Sequence, residues 1–217
     1  PLAAGLQTLG EYNGQASLTA IDTGAETISD TAAGRRVTLP LGQHYAGGFD
    51  WTNLNGNGYL LVQRAIDWAM GADMTGGAGN VLLVVVDPSN LTAQEQAKKA
   101  LMESWDFTVN LIDESDSQAS FDAALAVNDV VYVPVGSNPG AIGSKLTGTT
   151  VGIVNEEKKL LVELGFTGDI DSNSRSEIVI LDNTHSITSG LALGTLTITT
   201  SNQPFTFTNN GSASGAQ

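Results

Sequence analysis

The stretch Asn80–Asp87, NVLLVVVD, constrains the fold of this chain more than any other segment. A continuous apolar run rich in β-branched residues has no polar face to turn toward water, so it reads as a strand buried on both sides, and hence as part of a parallel sheet. The run is also the longest apolar segment. It falls far short of the ~18 residues a membrane-spanning helix needs, so no membrane insertion is expected.

The residues after this run support the same architecture. Pro88-Ser89-Asn90 turns the chain, and Thr92-Ala93-Gln94-Glu95 is a capping box that opens a helix running to about Trp105. Phe107–Asp113 is a second strand, Gln118–Val127 a short helix with Phe121, Ala124 and Leu125 on one face, and Asp129–Val135 a third strand. A short helix ending at Lys145, a strand over Thr149–Val154 and a helix over Glu157–Leu164 continue the alternation. Strand–helix alternation predicts right-handed crossovers and an α/β, flavodoxin-like, doubly wound and mainly parallel sheet. From Glu177 the texture changes to Thr-rich alternating strands, Glu177–Leu181, Thr195–Thr200 and Pro204–Thr208, which form a β extension. Upstream, Ala16–Asp22 and Arg36–Leu41 read as strands and Tyr59–Met70 as an amphipathic helix. Gly76-Gly77-Ala78-Gly79 marks a joint, dividing the chain into residues 1–75 and 76–217.

Composition narrows the function classes. The 217 residues contain no Cys, which excludes disulfides, thiolate metal sites and cysteine nucleophiles. Nine Lys and Arg against 23 Asp and Glu give a net charge of −14, which argues against nucleic-acid or anionic-membrane partners. The Cys-free, acidic, Thr/Ser/Asn/Gly-rich balance fits an extracellular or cell-surface protein. No G-x-G-x-x-G or P-loop pattern succeeds the Asn80–Asp87 strand, so nucleotide readings fail there. Asn90-Leu91-Thr92 and Asn210-Gly211-Ser212 fit the glycosylation triplet, a pattern common by chance in such sequence.

The residues from Asn80 through Asp113 resemble the opening of a class I glutamine amidotransferase-like or trehalose-utilisation-like α/β module of large secreted bacterial proteins. EIVILDNTHSITSGLALGTLTI, with His185 in its turn, is similar to that module's middle, and GRRVTLPLG with LLVQRAIDWAMG is similar to its end. The order is permuted. Residues 76–217 hold the first and middle parts and residues 1–75 the last, as in a circularly permuted domain or one phase-shifted period of a tandem array. Two small abutting domains are the plainer alternative. The resemblance implies a filament or surface module joined to copies of itself or to adjacent repeats, with Pro1, Leu2, Phe49, Trp51, Phe205 and Gln217 at the assembly interface.

The same resemblance places an amidotransferase nucleophile on the turn after DVVYVPV, where Ser137 stands in place of Cys. A Ser–His pair with His185 or His44, assisted by Glu156, is the catalytic reading. Val135 and Pro139 stand where a nucleophile elbow needs glycines, and a loop capping the next helix is the competing one. Asp87 and Asp113 end neighbouring strands, where open α/β sheets bind ligands. With Glu156 they make an oxygen-ligand set for calcium; as strand-end acids they instead cap the following helices. Only two histidines occur, too few for a multi-His metal centre, and His185 also reads as a turn-stabilising imidazole. The loop from His44 to Trp51 offers aromatics for stacking on glycans, or for packing. A non-catalytic structural module is therefore expected, with a carbohydrate-directed hydrolase or glycan-binding module as the alternative.

Overall fold

The computed structural model describes residues 2–42, 49–71, 78–168 and 170–208. The elements in chain order are β1 (Leu6–Tyr12), β2 (Gln15–Ile21), β3 (Arg36–Thr38), α1 (Gly56–Met70), β4 (Asn80–Val85), α2 (Ala93–Ser104), β5 (Thr108–Asp113), α3 (Gln118–Leu125), β6 (Val130–Val133), α4 (Pro139–Ile142), β7 (Gly152–Asn155), α5 (Leu160–Glu163), β8 (Ile170–Arg175), β9 (Glu177–Ile180), β10 (Gly194–Thr197) and β11 (Gln203–Thr208).

One mixed sheet of nine described strands runs in the order β10-β9-β1-β2-β3-β7-β6-β4-β5. The half from β3 to β5 is parallel throughout, and the half from β10 to β3 is antiparallel throughout. The α/β architecture is therefore present, with an antiparallel flank that includes β1 and β2 as well as the Thr-rich β9 and β10, while the third Thr-rich strand, β11, pairs with β8 in a separate two-stranded sheet. Strands from both sides of residue 75 share this sheet, because β3 pairs with β7 and β1 with β9. The Gly76-Gly77 joint itself lies outside the described residues.

The central strand β4 behaves as its sequence demands. Val81, Leu83 and Val85 face a core layer with α1, α2 and Tyr132, while Leu82 and Val84 face a second layer with Phe121, Ile142 and Leu160. Alternate side chains of a strand point to opposite faces, so an all-apolar strand needs a layer on each side. Asn55 caps α1 by accepting from the Asn57 and Gly58 amides, and Gly71 ends it in the left-handed conformation. Near its C-terminal end α1 approaches β7 so closely that a Cβ on Gly152 would lie 2.0 Å from the Ala69 carbonyl oxygen. Gly152 begins β7, so the C-terminal end of α1 marks the amino edge of the parallel strands.

The β8–β11 pair lies on the β2 side and sends Phe205 and Phe207 into the first core layer, with Thr208 Oγ1 donating to the Ala16 carbonyl. Leu2 bridges Thr167 and Thr208 pairs with Ile170, so the two described ends lie beside one short stretch of chain. Pro1 and Gln217 lie outside the described residues. The expected interface set needs correction. Phe49, Trp51 and Phe205 are buried in the chain's own core and present no surface for a neighbour, because the first core layer recruits them.

Candidate functional site at the carboxyl edge of the parallel strands

In open α/β sheets the carboxyl ends of the parallel strands are where ligands bind. Here that edge carries a buried polar cluster centred on Glu156. The residue comes directly after β7, and its amide donates to the Val133 carbonyl of the next strand at 2.9 Å, which holds it at the strand end. Its Oε1 accepts from the Trp51 indole Nε1–H at 3.1 Å and from the Tyr132 hydroxyl. Its Oε2 accepts from Lys98 Nζ and from the Val135 amide at 2.9 Å. Lys98, Tyr132, Trp51 and Glu156 are each at most 2% exposed.

Each partner arrives from a different element. The Thr92 capping box sets the register of α2, so Glu95, Lys98 and Met102 fall on its inner face. Tyr132 belongs to β6. Trp51 begins a 3₁₀ turn capped by Asp50, whose side chain accepts from the Thr52 amide. The Trp51 ring meets Tyr132 edge-on at 6.2 Å and covers the Lys98 ammonium, which lies 3.9 Å from its centroid. Burial pulls the Lys98 pKa down to about 8 against the opposing pull of Glu156 and Glu95. Burial, with the Glu156 charge beside it, holds the Tyr132 hydroxyl well above its ordinary value.

Three more buried acids surround this cluster, each with backbone donors. Glu95 accepts from the Val86 and Thr92 amides, Glu114 from the Asn138 amide, and Glu157 from the Gly136 and Lys159 amides. Burial raises the Glu114 pKa, and the charges of Asp113, Glu95 and Glu157 add to the shift. These carboxylates tie down the loops after the strands. An acid accepting backbone N–H bonds at that edge does the work of a helix or turn cap.

The expected site residues separate when placed on this frame. Asp87 accepts from the Ser89 amide and Asp113 from the Ser115 amide and hydroxyl, each closing its own turn. The two bonds from Ser115 also keep Asp113 more acidic than an ordinary carboxylate. Both oxygens of Glu156 are occupied by protein donors, so the calcium set of Asp87, Asp113 and Glu156 does not converge. Among the described residues no group of three or more His, Asp or Glu is arranged to hold a metal ion. Trp51 is almost wholly buried, with Lys98 over its ring and Tyr132 meeting it edge-on, so it presents little surface to a sugar. His44 lies outside the described residues.

Ser137 and His185 do not meet. Ser137 is buried in the loop beyond β6, at the carboxyl edge. His185 packs on Trp68, ring centroids 5.0 Å apart, beside the end of α1 and therefore at the amino edge. Its Nδ1 accepts from the Ile187 amide at 3.2 Å, the turn-stabilising role. Its pKa is lowered by burial, with Asp182 and Asp22 pulling the other way. Lys98 and Tyr132, central to the cluster, are not among the residues expected from the sequence. The available signal is the phase of α2, which puts Lys98 three residues after the capping Glu95.

Compared with protein-family models, curated proteins and solved structures, the chain matches none.

Proposed function

We propose that the chain is a non-catalytic structural module of an extracellular surface protein or filament, joined to copies of itself or to adjacent repeats. The observation that carries this reading is the closed carboxyl edge. The place where an α/β sheet would take a ligand is filled by the chain's own Trp51, Lys98, Tyr132 and Glu156. The −14 charge supports an exposed, soluble module.

A flavodoxin-like core in permuted order, as in the amidotransferase-like modules, fits the strand order. Counted from β4 as first strand, β4, β5, β6, β7 and β3 stand in the order 2-1-3-4-5, the flavodoxin arrangement. The proximity of Leu2 and Thr208 to one stretch, Thr167–Ile170, supports a join between the ends, within one domain or between repeats.

One feature favours the second reading, glycan binding. A cleft of about 300 Å³ beside the closed edge is lined by Trp51, Thr52, Tyr59, Ala97, Ala100 and Leu101, and Tyr59 is partly exposed there. Glycan-array binding and a glycosidase panel, run alongside sedimentation and electron microscopy of the concentrated protein, separate the two. The structural reading expects no turnover, no glycan binding and ordered self-association. Glycan binding abolished by Tyr59→Ala, from a protein that stays monomeric, would overturn it.

A further inference from the structure

We propose that Lys98 and Glu156 are the site of an intramolecular amide cross-link, formed by condensation of the Lys98 amine with the Glu156 side-chain carboxyl. The two groups are in direct contact, fully enclosed, and come from positions 58 residues apart. Burial in a water-free core penalises the ammonium form of Lys98, which favours the neutral, nucleophilic amine. The lowered Lys98 pKa has the same origin.

The surroundings supply what an acyl transfer needs. Contact within one rigid core replaces a bimolecular encounter. Lys98 Nζ passes one proton to Glu156 Oε2 and then attacks Cδ, forming the C–N bond. The negative charge that develops on Oε1 falls between the Trp51 indole N–H at 3.1 Å and the Tyr132 hydroxyl, both already aimed at that atom. A second proton moves from Nζ to Oε2, and the Cδ–Oε2 bond breaks to release water. The carbonyl re-forms at Oε1, and the third ammonium proton remains on the amide nitrogen. Ammonium and carboxylate become amide and water, with no oxidant or co-reactant. The cleft lined by Trp51 and Tyr59 adjoins the Trp51 ring and offers the water an exit. In a chain without cysteine, this link would tie α2 to the end of β7 as a disulfide ties other extracellular domains.

Intact mass of the denatured full chain is the test, so folding of a variant does not limit it. Wild type is expected to be lighter than its sequence mass by one water, and its digest to contain a branched peptide joining Lys98 to Glu156. Lys98→Arg, which keeps the charge, is expected at its full sequence mass. A wild-type chain at full mass with Lys98 free to acylate after denaturation would overturn the proposal, as would the same loss of water in Lys98→Arg.

Discussion

Trp51 donates its indole N–H to Glu156 while its ring face covers the Lys98 ammonium at 3.9 Å, so one side chain closes the cluster in two ways. The two contributions separate by substitution. Trp51→Phe keeps an aromatic cover but removes one of the two donors to Glu156 Oε1, and is expected to cost about 1–3 kcal/mol for the lost buried hydrogen bond. Trp51→Ala also removes the packing and is expected to cost about 3–5 kcal/mol. Urea unfolding midpoints at constant m-value measure both. Equal costs would mean that the aromatic cover contributes nothing, and an unchanged midpoint in Trp51→Phe that the indole N–H contributes nothing.

Glu114 is an acid whose charge the fold opposes, chiefly by burial. Its pKa is raised by burial and by Asp113, Glu95 and Glu157, so its charged form is disfavoured in the folded chain. Glu114→Gln retains an oxygen to accept from the Asn138 amide and removes the charge. It is expected to stabilise the protein by about 0.5–2 kcal/mol at pH 7. The gain should fade as pH falls through the Glu114 pKa, where wild type also becomes neutral. Unfolding curves at pH 7 and pH 4 test this.

His185 makes stability depend on pH at the other edge of the sheet. Its folded pKa is depressed below 6.5, chiefly by burial, and protonation of Nδ1 would break the bond from the Ile187 amide. Between the two values the unfolded chain binds more protons than the folded one. The His185 contribution is therefore complete above about pH 6.5 and is lost as pH falls through its folded pKa. His185→Gln is expected to flatten the stability profile between pH 7 and pH 5. An unchanged slope would assign that dependence to other groups.

If β4 is the first strand of the core, the chain should accept being cut before it. A permutant starting at Ala78, with Gln217 linked to Pro1, is expected to fold with a stability within about 1 kcal/mol of the original, since the described ends lie beside Thr167–Ile170. Failure to fold would contradict the permuted reading.

Much of the parallel half was legible because local signals agreed there. The β-branched run set β4, and Thr92 with Glu95 set the start of α2. Two strands were not legible. β1, LQTLGEY, is interrupted by an irregularity at Gly10, and β8, IDSNSR, has a single β-branched residue and, among the described strands, pairs with β11 alone. The helix expected over 157–164 shortens to Leu160–Glu163, since the Glu157 side chain turns inward to hold the Gly136 and Lys159 amides. Lys98 looks like its exposed-face neighbour Lys99 in sequence. Its burial depends on Glu156 and Trp51, distant positions that no local pattern connects to it.

The closure of the carboxyl edge is the claim on which the structural reading stands, and the Trp51 indole N–H reports it directly. Hydrogen exchange of that proton, followed by NMR in the native protein, is predicted to be slow and limited by unfolding, because the group is buried and bonded to Glu156. Exchange at the rate of a free indole would show an open edge and contradict the account.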